Sequence, residues 1–348
     1  MKRFLAGRIE RNLQMELFEL TAKLIDIPSV SGAEAEVGHF LAAYLEVLDY
    51  RVEKQEVTPN RFNVLATTSA SPRIVFSTHL DTVPPHISAR VDAERIHGRG
   101  ACDAKGIIAA QIVAAENLRK QGINQIGLLF TVDEELGSLG AQVANRHPLA
   151  AECRYLINGE PTDNRLASGT KGSLRLTIRT EGRAAHSAYP EQGSSAIETL
   201  LSVLRRVTGL DWPSDDLLGD TTCNIGVIAG GTRPNVVPSE AHAELQIRLV
   251  TGAETIKRML ETAIDSRAQL EYSSAHDPVR LMVLDGFDEC VVRFTTDIPY
   301  LSRWGKPLLL GPGSILNAHT DHECVEKREL EEAVDLYVRM ARTLTDRI

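Results

Sequence analysis

Short apolar runs that end in potential metal ligands constrain this chain more than any other feature of its sequence. Residues of that kind occur in five segments, which are Ser77–Asp81, Gly100–Gly106, Asp133–Glu135, Gly159–Pro161 and Ala318–His319. Four of the five follow, or form the end of, a short apolar or β-branched run, which is typical of a buried strand. Because ligands of open α/β sheets bind outside the carboxyl ends of the strands, we expect these side chains to meet there.

Strand and helix patterns alternate in the first half of the chain. Apolar runs predict strands at 64–67, 74–78, 126–132 and 155–157. Apolar spacing predicts helices at 17–25, from Ser31 or Gly32 through Leu45, at about 105–118 and near 138–145. Strands that alternate with helices of about ten to fifteen residues imply βαβ units. The predicted fold class is therefore α/β, with a mostly parallel mixed sheet and helices on both faces.

The pattern changes after about residue 170. Residues 173–180 alternate polar and apolar positions, as a half-buried antiparallel strand does. Further helices and strands are predicted at 196–207, 223–228, 241–249, 253–264 and 270–273. We therefore expect a first domain formed by residues 1–171 and 281–348, with an α+β module of residues 172–280 inserted into it. The chain returns with a strand at 308–310 and an amphipathic final helix that should pack on the sheet.

Composition and charge exclude several classes of protein. The net charge of −9 disfavours nucleic acid or an anionic membrane as a partner. No apolar run reaches the roughly 18 residues of a membrane span, and the basic start at Met1–Arg8 has no apolar core behind it, so we expect no signal peptide. The five cysteines are widely spaced and odd in number, which predicts reduced thiols and a cytoplasmic protein.

Two aspartates in these segments, Asp81 and Asp103, are candidate site residues. Asp81 could support a neighbouring ligand, and Asp103 has two interpretations. His79 and Asp81 lie two residues apart at a predicted strand end, so their side chains face the same way, and the carboxylate could orient the imidazole. Asp103 lies between Gly100 and Gly106 where a helix pattern starts. It is either the N-cap of that helix or a carboxylate that bridges two metal ions in a glycine-flanked turn.

The adjacent acids Glu134 and Glu135 follow a predicted apolar strand. Such neighbours repel each other unless a cation or solvent intervenes. They are either solvated loop carboxylates or a metal ligand beside a general base, which is what metal-assisted hydrolysis needs. Glu160 repeats the carboxylate at a strand end, and His319 supplies a second imidazole. Two histidines and three carboxylates can hold a pair of divalent metal ions.

In this order, the motifs resemble the co-catalytic zinc exopeptidase and deacylase family, which includes acetylornithine deacetylase, succinyl-diaminopimelate desuccinylase, glutamate carboxypeptidases and aminoacylases. The resemblance covers nearly the whole chain, including the inserted module. It implies two divalent metal ions, zinc with cobalt as a substitute, bridged by Asp103. His79 and Glu160 would complete one metal position, and Glu135 and His319 the other.

The resemblance also implies roles for residues around the metal ions. Glu134 would be the general base that activates the attacking water, and Asp81 would orient His79. A cis peptide bond is implied at Asp103–Ala104.

In the inserted module, Gly182–Ser187 resembles the family segment whose histidine reaches across a homodimer and polarises the scissile carbonyl. This implies that role for His186, which by its own pattern would be a turn histidine. The segment Gly230–Pro238 and Arg248 resemble the part that binds the substrate carboxylate, so Asn235 and Arg248 are implied as ligands of that group. An arginine fork suits a carboxylate because it pairs with both oxygens. Gln246 departs from the family pattern, since many members carry an acid there.

The substrate is implied by smaller likenesses. Gly311–Ser314 followed by Ala318 and His319 resembles the acetylornithine deacetylase pattern and implies Gly313 at the substrate. Gly98–Gly106 resembles deacetylases that act on acetyl-lysine or acetylornithine, whereas Asp321–Val325 ends like the desuccinylase. The implied reaction removes the acetyl group from N2-acetylornithine or N-acetyl-lysine, with acetylcitrulline, a succinyl substrate, or a glutamate-carboxypeptidase or dipeptidase reaction as alternatives. A non-catalytic binding protein is disfavoured because no ligand or base is missing, and a nucleotide-binding protein because no glycine-rich loop follows the first strand.

Overall fold

The computed structural model describes residues 15–348, without the side chain of Asp265. These residues form two compact units. The first contains the residues up to 168 together with 281–290 and 296–348, and the second contains 169–280 and 291–295. The second unit thus includes 169–171 and 291–295 in addition to the expected segment 172–280. The expectation for Met1–Arg8 lies outside the described residues.

The first unit alternates helices and strands along the chain. Its α-helices are Leu17–Asp26, Ala35–Val47, Lys105–Lys120, Leu139–Ala144 and Lys327–Thr345. Its strands outside the main sheet are Arg90–Val91, Arg95–His97 and Cys324–Glu326, and single turns of 3₁₀-helix cover Pro148–Ala151 and Ile298–Tyr300. Of three further strands, Val279–Arg280 belongs to the second unit, and Leu166–Thr170 and Glu289–Val292 each contain residues of both units. Within residues 15–348, no helix has both the length and the apolar character needed to cross a membrane.

A mixed sheet forms the centre of the first unit. In spatial order its strands are Arg51–Thr58, Arg61–Thr67, Ile126–Thr131, Ile74–His79, Tyr155–Asn158 and Lys306–Leu309. The last four of these run parallel to one another, and the first two form an antiparallel hairpin at one edge. The mostly parallel mixed sheet predicted from the sequence is therefore confirmed.

Apolar residues from both faces of this sheet are buried under helices. On one face Val64, Phe76 and Leu128 share a core with the helices that begin at Leu17, Ala35, Lys105 and Lys327. On the other face Leu65, Val75, Leu129 and Leu156 pack against Ala141, Ala144 and Trp304. Alternate residues of one strand thus serve opposite cores, as the two-residue period of a strand requires. Helices lie on both faces, as predicted.

The final helix follows its predicted stripe. Val334, Tyr337, Met340, Ala341 and Leu344 are all buried in the core beneath the sheet. The Tyr337 hydroxyl donates a hydrogen bond to the carbonyl of Leu310 at 2.6 Å, which satisfies the one polar group on that face.

One helix start differs from the sequence prediction, and another decides between the two interpretations of Asp103. The second helix begins at Ala35 rather than at Ser31 or Gly32, because the Ser31 amide donates to the Thr82 carbonyl at 3.1 Å in an extended bridge. The helix at Lys105 begins without any side-chain cap, and its N-cap position is Ala104. Asp103 is therefore not used as an N-cap, which leaves its carboxylate for other contacts.

The second unit is a four-stranded antiparallel sheet with two helices on one face. In spatial order its strands are Thr222–Gly230, Glu240–Leu249, Gly172–Glu181 and Gln269–His276. The helices are Ala196–Thr208 and Ala253–Ile264, whose buried leucines and isoleucines pack on the inward residues of the sheet. Short strand pairs join Ala185–His186 to Val236–Val237 and Ser214–Asp215 to Gly219–Asp220, and Pro190–Gln192 and Asp265–Arg267 are 3₁₀ turns.

Candidate metal centre

Three neighbouring parallel strands bring potential ligands together at their carboxyl ends. His79 is the last residue of the middle strand, Glu134 and Glu135 follow the strand that ends at Thr131, and Glu160 follows the strand that ends at Asn158. The carboxyl ends of these strands point the same way, so residues that are distant in the chain meet there. For example, Thr78 Oγ1 donates a hydrogen bond to the carbonyl of Gly159, which is 81 positions away.

Asp103 lies between two imidazoles. Its Oδ1 is 2.9 Å from His79 Nε2, and its Oδ2 is 3.2 Å from His319 Nε2. His319 Nε2 also lies 3.0 Å from Glu135 Oε1, and His79 Nε2 lies 3.9 Å from Glu160 Oε2. The five side chains thus form two groups that share one carboxylate. The peptide bond between Asp103 and Ala104 is cis, as the resemblance implied.

The charges of this cluster fit a pair of divalent cations. Burial, and after it the charge of Glu160, raises the pKa of Glu134 well above its usual value, and burial raises the pKa of Glu160 and of Glu135 as well. Among the described residues, the ion pairs of Asp103, Glu135 and Glu160 involve no lysine or arginine, only histidine. Glu160 Oε1 is buried without a hydrogen-bond partner. A buried set of acids without a lysine or arginine needs a positive charge.

The donor atoms also suit a metal. One ligand atom each from His79, Asp103 and Glu135 lies within 4.8 Å of the others. Imidazole nitrogen and carboxylate oxygen are the ligand atoms that zinc and similar divalent ions accept. The hydrogen bonds to Asp103 and Glu135 raise the pKa of His319 to about 10, so in this cluster the imidazole takes a positive charge that a metal ion would replace. The residues present therefore fit the metal ions implied by the sequence.

Asp81 contacts both His79 and the turn that carries the paired glutamates. His79 Nδ1 is 2.9 Å from the Asp81 main-chain carbonyl, whereas the Asp81 carboxylate is 3.7 Å away. That carboxylate instead accepts the amide hydrogens of Glu134 at 3.1 Å and Glu135 at 3.2 Å, and the hydroxyl of Ser31 at 2.7 Å. The main chain of Asp81 therefore fixes the ring, and its side chain fixes the Glu134–Glu135 turn.

Further polar residues, among them Arg61 and Asp297, which the sequence did not single out, lie around that turn and the strand before it. Arg61 donates to both carboxylate oxygens of Glu34, at 2.8 and 2.6 Å, and to Asp133 Oδ1 at 2.6 Å. Asp133 has a φ of 73° and precedes Glu134. Asp297 is buried, accepts the Thr131 hydroxyl at 2.7 Å, and has its pKa raised to about 6 by burial. No sequence motif marks Arg61 or Asp297, because their partners are distant in the chain.

Gly313 lies directly against the residue that precedes Asp103. It has a φ of +81°, and a Cβ at this position would be 2.5 Å from the Cβ of Cys102. Glycine is required here both by the backbone angle and by the close approach. Its main-chain carbonyl accepts the Asp163 amide at 2.9 Å.

The remaining predicted site residues belong to the second unit. His186 is exposed and pairs with Val236, and the Ser187 amide donates to the Asn235 carbonyl at 3.0 Å, so the structure brings together the two segments that carry His186 and Asn235. Arg248 lies on the sheet, on a different element. Burial, and after it the charge of Arg175, lowers the pKa of Arg248. The Arg175 side chain donates to the neutral Gln246 at 3.2 Å rather than to a carboxylate.

Comparison with known proteins defines the class. Residues 75–343 match the sequence model of peptidase family M20/M25/M40. The chain is 40% identical over 336 residues to a peptidase M20 domain-containing protein of Schizosaccharomyces pombe, covering 93% of this chain and 84% of that protein. It is 39% identical over 362 residues to a probable carboxypeptidase of Aspergillus terreus, covering 91% and 84%. The chain therefore belongs to the M20 peptidase family, whose members are metal-dependent hydrolases, and it is an enzyme.

Solved structures share the fold. A tripeptidase from Staphylococcus aureus superposes with a TM-score of 0.78 at 20% identity and covers 92% of this chain and 96% of its own. An M20 family metallo-carboxypeptidase from Sulfolobus solfataricus gives a TM-score of 0.75 at 17% identity, covering 93% and 98%. At these identities the likeness establishes the architecture, including the inserted domain.

Proposed function

We propose that this enzyme hydrolyses the amide bond that joins an acyl group to an amino acid with a free carboxylate. The observation that carries the proposal is Asp103, whose two oxygens face His79 and His319, with the Glu134–Glu135 pair beside it. The sequence likenesses favour an acetyl group and a substrate such as N2-acetylornithine or N-acetyl-lysine.

The five side chains of this cluster fit two divalent metal ions, which would be zinc, with cobalt as a substitute. Asp103 would bridge them, His79 and Glu160 would complete one position, and Glu135 and His319 the other. When bound, such ions act as Lewis acids that polarise a carbonyl and make water more acidic. His79 is prepared for ligation, because its Nδ1 hydrogen bonds to the Asp81 carbonyl and leaves Nε2 facing Asp103.

Glu134 is the residue that moves the proton. It lies beside His79 and Glu160 but outside the ligand cluster, so its carboxylate is free to accept a proton from the attacking water. As the new C–O bond forms, the Glu134 carboxylate takes that proton, and it then delivers the proton to the leaving nitrogen as the C–N bond breaks. The Asp81 carboxylate holds the Glu134 and Glu135 amides, so it keeps the base and its neighbouring ligand in one turn.

The second unit supplies the groups that recognise the substrate in this proposal. His186 Nδ1 accepts the Ala188 amide at 3.1 Å, so the neutral ring carries its proton on Nε2 and can donate it to a developing oxyanion. Arg248, with Asn235, would hold the substrate carboxylate. The Arg175 side chain beside it donates to the neutral Gln246 rather than to a carboxylate, which leaves the Arg175–Arg248 pair open to an anion.

A homodimer would form through the same unit. The strand Thr222–Gly230 is at the edge of its sheet, and Val227 and Ile228 on it are exposed, as is Leu201 on the helix Ala196–Thr208. An exposed edge with apolar side chains is a surface suited to pairing with a second chain. Across that dimer, His186 of each chain would act at the active site of the other.

A second candidate is a carboxypeptidase or dipeptidase reaction. It is favoured by the curated relative in Aspergillus terreus, named a probable carboxypeptidase, and by the peptidase structures that share the fold. Both reactions release an amino acid with a free carboxylate and differ only in the acyl group. A succinyl substrate would use the same residues.

Kinetics on a panel of substrates separates the candidates. The purified enzyme, with added zinc or cobalt, would be assayed on N-acetyl and N-succinyl amino acids and on dipeptides. We expect kcat/KM to be highest for an N-acetyl amino acid, and a preference for dipeptides of tenfold or more would favour the second candidate. Exhaustive chelation should abolish the activity and zinc or cobalt should restore it; full activity after chelation would contradict the metal assignment.

We also propose a cytoplasmic location. All five cysteines of the chain are free in the structure, which agrees with a reducing compartment. Localisation of a tagged chain in cells would test this.

A further inference from the structure

Arg99 and Glu323 form a buried ion pair that has no part in the reaction proposed above. Arg99 is 1% exposed and Glu323 2% exposed, and Arg99 Nη1 donates to Glu323 Oε2 at 2.6 Å. A buried ion pair contributes little net stability, because desolvation of two charges offsets their attraction. Stabilisation of the fold is therefore a weak explanation for this buried pair, and its contacts indicate a different role.

The second oxygen of Glu323 accepts hydrogen bonds from the loop that ends at Asp103. Glu323 Oε1 accepts the amide hydrogens of Gly100 at 2.9 Å, Cys102 at 3.3 Å and Asp103 at 3.3 Å. The main-chain carbonyl of Glu323 accepts the Gly98 amide at 3.0 Å. Successive amides that converge on one carboxylate fix the path of that loop, and with it the position of the Asp103 side chain.

The same pair holds the segment that carries His319. Arg99 Nη1 donates to the carbonyl of Thr320, the residue after His319, at 3.0 Å. His319 has a φ of 63°, and its side chain is 48% exposed. It lies in a loop outside any helix or strand. The Arg99–Glu323 pair is thus a buried polar connection between the His319 loop and the Asp103 loop.

The ligands of the other metal position have separate supports. His79 ends a strand in which every residue is buried, and its ring is fixed by the Asp81 carbonyl at 2.9 Å. Glu160 follows the buried strand Tyr155–Asn158, and the Gly159 amide donates to the Ser77 carbonyl at 2.7 Å. The central sheet therefore positions these two ligands without the Arg99–Glu323 pair.

We propose that Glu323 is a positioning residue that sets the metal affinity of the position formed by Asp103, Glu135 and His319. The position formed by His79, Asp103 and Glu160 depends on it much less, because the sheet holds two of its three ligands. The inference rests on the ligand sets of the proposed function.

The test is a metal titration of full-length variants, each of which lacks one of the two metal-binding positions. His319→Ala should leave one equivalent of zinc, held by His79 and Glu160, and Glu160→Ala should leave the other equivalent. Glu323→Gln is then added to each background, and the zinc Kd is measured against a competing chelator. Loss of a group that orients a ligand costs roughly 10–100-fold in metal affinity.

We expect Glu323→Gln to weaken zinc binding roughly 10–100-fold in the Glu160→Ala background and by less than about threefold in the His319→Ala background. Equal weakening in both backgrounds, or none in either, overturns the proposal. If His319→Ala and Glu160→Ala do not each remove one equivalent, the failure lies in the proposed ligand sets and not in the role of Glu323.

A matched control separates positioning from general damage. Glu116 is also a buried carboxylate, 2% exposed, whose partner is Arg119 at 2.7 Å. It lies 11 residues beyond Lys105 on the same helix, which is about 16 Å along the axis. Glu116→Gln should leave both zinc affinities unchanged, whatever its effect on thermal unfolding of the metal-free protein.

If Glu323→Gln does not fold, Glu323→Asp keeps the charge and shortens the side chain by one methylene. It should weaken the same position and spare the other. A folded Glu323→Asp with two unchanged affinities contradicts the proposal.

Discussion

At the scale of single residues, the neighbouring acids Glu134 and Glu135 have different roles in the proposed reaction. Glu135 Oε1 lies 3.0 Å from His319 and belongs to the candidate ligand cluster, whereas Glu134 lies outside that cluster beside His79. Glu134→Ala should keep both metal ions but lose at least about 10²-fold in kcat, because the proton acceptor is gone. Glu135→Ala should lose metal. Metal content after gel filtration and kcat check both, and the reverse pattern would exchange the two roles.

Gly313 tests how tightly the backbone packs beside Asp103. Gly313→Ala has to accommodate a left-handed φ and a contact of 2.5 Å with Cys102, whereas Gly122 has a φ of +84° and nothing within 4 Å of an added Cβ. Gly122→Ala should cost about 1–2 kcal/mol of unfolding free energy from the backbone alone. Gly313→Ala should cost at least about 1 kcal/mol more, because the methyl group overpacks the site. Urea unfolding measures both, and equal losses would contradict the crowding.

At the scale of elements, the final helix shows how one apolar stripe connects the end of the chain to the sheet. Met340 is fully buried beneath the sheet, whereas Asp335 on the opposite side of the helix is exposed. Met340→Ala should lower the unfolding free energy by about 2–5 kcal/mol through the cavity it leaves. Asp335→Ala should change it by no more than about 0.5 kcal/mol. If urea unfolding shows similar losses for both, the helix does not pack as described.

At the scale of the whole molecule, the proposed homodimer predicts a change in assembly. Ile228→Lys places a charge on the exposed edge strand of the second unit and should shift the protein toward monomer in sedimentation experiments. Val47→Lys alters an equally exposed apolar residue of the first unit and should leave the assembly unchanged. A dimer that is unaffected by Ile228→Lys would place the interface elsewhere.

The same assembly predicts that inactive chains can complement each other. His186→Ala should hold both metals and remain dimeric, yet lose about 10²–10³ in kcat, as removal of an oxyanion donor does. Mixed with Glu134→Ala chains, it should regain some activity, because one active site of a mixed dimer has both residues. Tagged chains verify the exchange. If verified mixed dimers stay inactive, His186 does not act across the interface.

The sequence by itself determined the order of apolar strands and the potential ligands at their ends. His79, Glu134 and Glu160 could be predicted because each lies at or just after the end of an apolar run, and an apolar run predicts a buried strand. Parallel strands then place these residues at the same end of the sheet. The helix that begins at Lys105 and the stripe of the final helix were predictable for the same local reason. Roles that the family resemblance supplied, such as those of His186 and Arg248, remain predictions.

Only the tertiary structure decided which polar groups support those ligands. Glu323 meets the Gly100 amide 223 positions away, Arg61 meets Asp133 72 positions away, and Asp297 meets Thr131 166 positions away. The structure also showed that the Asp81 side chain holds the Glu134 and Glu135 amides while its main chain fixes His79. A strand or helix leaves a periodic pattern in the sequence, but a buried hydrogen bond between distant loops depends on where the whole fold places two atoms.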